Sequence, residues 1–270
     1  MQIKRIGVMQ IDIKIGNKQA NFNRVKELME LAYVDSKLPT AIIMPELWTT
    51  GYDLERESEL ASEEGEETAH FLGELAKQYG TWFIGGSTLA KIEGGYTNRA
   101  QVINSSGMLV ATYDKVHLIP LMDEHKYFIP GKKDCLFDWE GTTSGCVICY
   151  DLRFGEWLRS YALKGTKILF ISAEWPEIRA EHWNILLRAR AIENQMYVVS
   201  CNRCGTSKDI KFNGGSLIID PWGKILLNAG TKEGLSFIEI DLSKVDETRA
   251  KVPVFRDRVP TLYSQITKEV

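Results

Sequence analysis

The stretch Gly145-Cys146-Val147-Ile148-Cys149-Tyr150-Asp151-Leu152-Arg153-Phe154-Gly155-Glu156 decides how the rest of the chain is read. Its first half is small, β-branched and apolar, the composition of a short buried strand. From Asp151 onward charged residues interleave with Leu152, Phe154, Trp157, Leu158 and Tyr161, a spacing that suits one face of a helix. Cys149 therefore sits where a strand stops and the chain turns sharply into a helix. Backbone N–H groups and the positive end of a helix dipole at such a turn favour the thiolate over the thiol. Cysteine is also among the most buried residue types and often acts as a small hydrophobe, so the segment by itself leaves both readings open.

Outward from this elbow, residues 40–45 and 167–172 read as strands, continuously apolar over 41–45 and 168–171, as in a sheet covered on both faces. Residues 3–13 read as a first strand. Asn21 reads as the cap of a helix running to about residue 34, with Val25, Leu28, Met29, Leu31 and Ala32 turned inward. The acidic run 55–67 reads as a solvated loop and helix start, continued by an amphipathic helix over 68–78. Strands follow at 82–87, 99–103 and 109–113, with Gly94-Gly95 and Ser106-Gly107 in the turns between them. A long loop runs through Asp123-Glu124-His125 to Gly131. Beyond the elbow come a helix over 181–195, strands at 197–201, 215–220 and 236–240, and a tail over 251–270. This alternation, with hairpins between, fits two sheets packed face to face with helices outside them. No linker divides residues 1–270, so one domain is expected.

Hydrophobic residues make up 44% of the 270 and charged residues 26%, enough for a sizeable core and against disorder. The net charge of −3 and the lack of a basic run argue against nucleic acid as a partner, and no stretch reaches the length of a membrane span. Five cysteines, an odd number, and an N-terminus that enters a strand directly point to reduced thiols and a cytoplasmic location.

Three polar residues follow apolar strands: Glu46, Lys115 and Cys149. Strand ends are where open α/β sheets place their sites. A thiol that attacks a carbonyl needs a base, a donor for the oxyanion and an acid for the leaving group; a glutamate, a lysine and a cysteine meet those needs. Singly, Glu46 is equally a loop charge and Lys115 a surface cation, and spacing alone does not bring the three together. Cys201-Asn202-Arg203-Cys204 has redox or zinc spacing, but a turn follows it and no second pair of ligands completes a zinc set. A structural role is expected there, as for His117 and His182. Trp48, Tyr52, Phe128 and Trp175 flank the candidate residues as pocket walls or as plain core.

Pro45-Glu46-Leu47-Trp48, Tyr113-Asp114-Lys115-Val116-His117-Leu118 and the elbow itself closely resemble the three motifs of the nitrilase, or carbon–nitrogen hydrolase, superfamily. Residues 188–195 are similar to its downstream helix. The resemblance implies an α/β fold, a four-layer α-β-β-α sandwich, with protomers paired into homodimers or larger homo-oligomers. It also implies a Glu46–Lys115–Cys149 catalytic site that needs no metal or organic cofactor. Leu121-Met122-Asp123-Glu124-His125 and Ser172-Ala173-Glu174-Trp175-Pro176 look like the ω-amidase-like branch associated with methionine salvage, whose enzymes hydrolyse amides of short 2-oxo acids such as 2-oxoglutaramate. On that match Glu124 is a second, substrate-orienting glutamate, and Tyr52, His125, Tyr150, Glu174 and Trp175 form the substrate-binding set around a small amide. Related ω-amidases often carry arginine where this chain has Val116, which leaves Lys126, Arg153 and the N–H groups around Trp175 to meet a substrate carboxylate. The alternatives are an N-carbamoyl amine or amino-acid hydrolase and a catalytically silent binding protein on the same scaffold.

Overall fold

The computed structural model describes residues 3–35 and 38–263. Its centre is a pair of sheets whose order differs from chain order. In the first, the strand Gly234–Asp241 lies at one edge, followed by Ile3–Gln10, Ala41–Met44, Trp82–Ile92, Gly95–Ile103 and Leu109–Asp114. Ile3–Gln10, Ala41–Met44 and Trp82–Ile92 run parallel, and the rest of that order is antiparallel. In the second sheet the order is Ile225–Asn228, Leu217–Ile219, Tyr197–Asn202, Ile168–Ala173, Thr142–Ile148 and Leu136–Trp139. Here Thr142–Ile148, Ile168–Ala173 and Tyr197–Asn202 are the parallel trio.

The sheets face each other through residues such as Val8, Ile43, Ile84, Val147 and Ile171, all fully buried in one core. The helices Lys18–Asp35 and Glu66–Tyr79 cover the outer face of the first sheet, where Phe22, Val25, Met29, Leu72 and Leu75 meet Ile42, Met44 and Phe83. The helices Gly155–Leu163 and Ala180–Asn194 cover the second, through Leu158, Tyr161, Trp183, Leu187 and Ala191. This is the four-layer α-β-β-α sandwich that the resemblance implies. The apolar runs within 40–45 and 167–172 form the central parallel strands Ala41–Met44 and Ile168–Ala173, buried because both of their faces are covered.

Several expectations need correction. The first helix starts at Lys18, so Asn21 lies inside it. There Asn21 is buried, accepts the Lys14 N–H at 2.8 Å and donates to the carbonyls of Lys14 and Thr49; it ties a loop to a helix instead of capping one. Leu31 points outward, 58% exposed. Between the expected strand at 236–240 and the tail lies an unforeseen helix, Ser243–Lys251, polar except for a thin inner edge carrying buried Val245. The segment after it is pinned: the guanidinium carbons of Arg159 and Arg249 lie 5.3 and 5.0 Å from the Phe255 ring centroid. Residues 264–270 of the expected tail lie outside the described residues.

Candidate active site

At the carboxyl ends of the parallel strands the chain turns abruptly. Glu46 follows Ala41–Met44, Cys149 follows Thr142–Ile148 and Glu174 follows Ile168–Ala173. Two of these turns contain a non-glycine residue in the left-handed region, Leu47 at φ 41° and Cys149 at φ 44°. Such backbone costs of order 1 kcal/mol and persists only where its surroundings hold it. At Leu47 the N–H donates to Ser87 Oγ at 2.8 Å. At Cys149 the holding group is Asp151, fully buried two residues on. It accepts from Ile148 N–H at 2.9 Å, Tyr113 Oη at 2.8 Å and His117 N–H at 3.1 Å, and lies 2.6 Å from His117 Nδ1. His117 stacks on Phe154, centroids 3.7 Å apart. It is thus structural, as expected.

Lys115 is completely buried between two carboxylates, its Nζ 2.7 Å from Glu46 Oε1 and 2.8 Å from Glu124 Oε1. Asn98 donates to the same two oxygens at 2.9 and 3.4 Å, and Tyr52 Oη lies 2.9 Å from both. The outer oxygens are also engaged: Glu46 Oε2 accepts the Glu174 N–H at 2.8 Å and Glu124 Oε2 the Ile119 N–H at 2.8 Å. The Cys149 thiol is close enough to feel the Glu46, Lys115 and Glu124 charges. The sheets therefore bring Glu46, Lys115, Glu124 and Cys149 into one cluster although 103 residues separate the first from the last.

The charges follow from this packing. Burial works against ionisation of Glu46, but Lys115 and the hydrogen bonds outweigh it and hold the carboxyl below its ordinary range. For Glu124 burial prevails: its pKa is raised despite Lys115, with the Glu46 charge adding to the shift. Lys115 is itself buried, yet Glu124 and Glu46 keep it cationic. A phenol has one proton, so Tyr52 donates to only one of the two carboxylates at a time. Burial, then the Glu46 charge, push the Cys149 thiol well above its ordinary range, with Lys115 opposing. The expected thiolate at a helix end is thus corrected. Cys149 opens a 3₁₀ turn, Cys149–Arg153, and the α-helix begins only at Gly155, so the end of the α-helix dipole is not at the sulfur.

A chamber of only about 10 Å³ beside Cys149, room for about one water, is lined by Ile119, Tyr150, Arg153, Trp175 and Arg179 among others. It shares Met122 and Glu174 with an outer vestibule of about 230 Å³. Tyr52 lines the vestibule, so four of the five expected substrate-binding residues, Tyr52, Tyr150, Glu174 and Trp175, border this path. His125 does not. It sits exposed on the short helix Glu124–Tyr127, whose buried side is taken by Glu124 itself. Lys126 is likewise outside, paired with Asp123 at 3.0 Å. The Trp175 N–H is already given to Asn202 Oδ1 at 2.7 Å. Trp48 and Phe128 are core: Trp48 packs on Phe22, and Phe128 on Leu47, Leu54, Leu60 and Leu89. Cys201 and Cys204 are buried free thiols on separate strands.

Asn98, Arg203 and Arg179 escaped the reading of the sequence. Asn98 stands in a strand with no motif around it. Arg203, fully buried, pairs with Glu174 Oε2 at 2.9 Å and donates to the Ile13 carbonyl at 3.0 Å; its place inside a Cys-x-x-Cys run drew notice to the thiols instead. Arg179 ends a 3₁₀ turn, Glu177–Arg179, where sequence alone gives no hint of a cavity.

An α-β-β-α sandwich with a lysine buried between two glutamates beside a thiol defines a class, and comparison with known proteins agrees. The carbon-nitrogen hydrolase family model matches residues 5–250, and the chain belongs to that family. It is 42% identical over 258 residues to the 2-oxoglutaramate amidase of Bacillus subtilis (strain 168), covering 96% of this chain and 98% of that one. It is 31% identical to the omega-amidase NIT2 of Homo sapiens, covering 96% of each. Among solved structures it is similar to a carbon-nitrogen hydrolase from Helicobacter pylori G27, with a TM-score of 0.92, 26% identity and 99% of both chains covered.

Proposed function

We propose that this protein is a cysteine-dependent amidase that hydrolyses the amide of a short 2-oxo acid, of the 2-oxoglutaramate type, to the acid and ammonia through a thioester. The observation that carries the chemistry is the burial of Lys115 between Glu46 and Glu124, with the Cys149 thiol within reach of the same charges. The substrate class is supported by the relatives named 2-oxoglutaramate amidase and omega-amidase.

In this mechanism Glu46, kept ionised, takes the proton of Cys149 as the sulfur attacks the amide carbon. Attack and proton transfer run together because the free thiol is a weak acid in this site. The carbonyl oxygen becomes an oxyanion held by the Lys115 ammonium and the Tyr150 N–H. Glu46 returns the proton to the departing nitrogen, and ammonia leaves a thioester on Cys149. Glu46 then deprotonates a water that attacks the thioester carbon; the acid is released and the thiol restored. Glu124 holds Lys115 in place and orients the amide. Arg153, which lines the chamber with its guanidinium over the Trp175 ring, meets the substrate carboxylate in place of the arginine that Val116 replaces.

We place the protein in the cytoplasm as a homodimer or larger homo-oligomer. Five free cysteines support the first reading, and the apolar side chains of Ile185 and Ile192, exposed on the helix Ala180–Asn194, support the second. The deciding experiment is kcat/KM for 2-oxoglutaramate, the amide of the methionine-derived 2-oxo acid, glutamine, simple nitriles and N-carbamoyl amino acids. The first two are expected to lead. An N-carbamoyl compound ahead by more than about tenfold, roughly 1.4 kcal/mol in transition-state binding, replaces this reading with a carbamoylase.

A further inference from the structure

Two arginines line the chamber beside Cys149, and neither has a carboxylate within ion-pair distance among the described residues. Elsewhere Arg203 is paired with Glu174, Arg190 with Glu193 and Arg99 with Asp114, while half-buried Arg159 and Arg249 donate to the backbone carbonyls of Glu193 and Thr166. Trp175 sets the two chamber arginines in relation to each other. The Arg153 guanidinium carbon lies 4.6 Å from its ring centroid, and its Nε1–H donates to the Arg179 carbonyl at 2.8 Å. Trp175 is itself fixed, since its N–H and carbonyl are bound by the Asn202 side chain at 2.7 and 3.0 Å and its ring lies against Trp183. The Arg153 guanidinium and the Arg179 backbone are thus both anchored on one fixed side chain.

A guanidinium carries donors only. The far end of a 2-oxo acid amide carries acceptors only: two carboxylate oxygens and the adjacent oxo oxygen. One guanidinium satisfies a carboxylate in a two-point contact, which leaves the oxo oxygen for a second donor group. The 2-amino analogue puts an ammonium at that place, three donors and a positive charge facing a second cation.

We propose that Arg179 is a specificity-determining residue which, with Arg153, binds the all-acceptor end of a 2-oxo acid amide and disfavours the 2-amino analogue. The proposal rests on the functional reading above and deepens it. The single carboxylate lining the same chamber is Glu174, whose Oε2 is held by Arg203 and whose Oε1 has no hydrogen-bond partner; it leaves both chamber arginines unneutralised by any direct contact.

The test compares Arg179→Ala and Arg179→Gln with the parent enzyme on 2-oxoglutaramate, glutamine and butyramide. Loss of a charge-assisted contact is expected to lower the kcat/KM ratio of 2-oxoglutaramate to butyramide about 10–100-fold, chiefly through KM, and to narrow the preference for 2-oxoglutaramate over glutamine. Arg179→Gln keeps length without charge, so it carries the test should the alanine variant fold poorly. Ratios within about twofold of the parent overturn the proposal. If the parent enzyme itself does not prefer 2-oxoglutaramate to butyramide, the functional reading fails. Arg179 is then judged by protection of Cys149 from iodoacetamide by 2-oxoglutarate: protection lost in Arg179→Gln upholds an anion-binding Arg179, and protection unchanged rejects it.

Discussion

Cys149, Lys115 and Glu174 illustrate three ways in which burial sets the chemistry of a side chain. Cys149 is held as a neutral thiol beside an ionised Glu46, so in the proposed mechanism its reactivity depends on that base and not on a thiolate formed in advance. Cys149→Ala is expected to abolish turnover with the fold intact, whereas alanine at Cys146, Cys201 or Cys204 costs far less activity. Mass spectrometry of an acyl adduct checks this directly, and an adduct on any of the other three removes Cys149 from the role. Lys115, surrounded by acceptors, is expected to cost about 10²–10³ in kcat on replacement by alanine, the magnitude of a lost oxyanion donor; single-turnover kinetics locates the loss in the acylation step. Burial, only partly offset by Arg203, pushes the Glu174 carboxyl up to about 7. The groups around it are Arg203, Glu46 and Lys115, with Arg153, Arg179 and Cys149 lining the shared chamber. Below about pH 7 Glu174 is neutral and able to donate a hydrogen bond; above it, a negative charge faces an anionic substrate. KM for 2-oxoglutaramate is therefore expected to rise as pH rises through 7. In Glu174→Gln that rise disappears. A KM–pH curve with the same step in both enzymes assigns the step elsewhere.

At the scale of elements, the elbow after Thr142–Ile148 is a small machine for keeping a cysteine in left-handed backbone. Asp151 gathers the Ile148 and His117 N–H groups, the Tyr113 hydroxyl and the His117 ring, and Trp157 Nε1 reaches Tyr113 Oη at 3.2 Å. One carboxylate thus ties the elbow to the strand Leu109–Asp114 and to the segment that carries Lys115. Asp151→Ala leaves at least two buried donors unsatisfied at about 1–3 kcal/mol each, so a loss of roughly 3 kcal/mol or more is expected, together with nearly complete loss of activity. Urea unfolding measures the first. A variant destabilised by less than about 1 kcal/mol shows that water replaces the carboxylate.

On the whole-molecule scale, the sandwich leaves one apolar outer surface unexplained by its own packing. On the helix Ala180–Asn194, Trp183 and Leu187 face the sheet, while Ile185 and Ile192 are 57% and 50% exposed. Ile192 lies under the turn at Gly223, next to exposed Trp222, which widens the patch. Pairing of two protomers through this helix and its neighbour Gly155–Leu163 removes that surface from water. Sedimentation at micromolar concentration is expected to give a dimer, and Ile185→Glu with Ile192→Glu to shift it toward monomer; a parent protein that sediments as a monomer rules the pairing out.

The sequence alone determined the parts that depend on local pattern. Apolar runs marked the strands covered on both faces, the change of period after Cys149 marked the elbow, three short motifs pointed to Glu46, Lys115 and Cys149, and the separate stretch 121–125 pointed to Glu124. Only the tertiary structure decided what depends on contacts distant in the chain. A thiol at a strand end reads as acidic until burial and Glu46 are seen beside it. Asn98 and Arg203 have no local signature, because their roles come from partners on other strands. His125 follows Glu124 in the chain, but adjacent residues on a short helix point in different directions, so one is buried in the site and the other lies in solvent. Arg179 enters the chamber because Trp175 and the turn Glu177–Arg179 bring it there, and no spacing along the chain encodes that meeting.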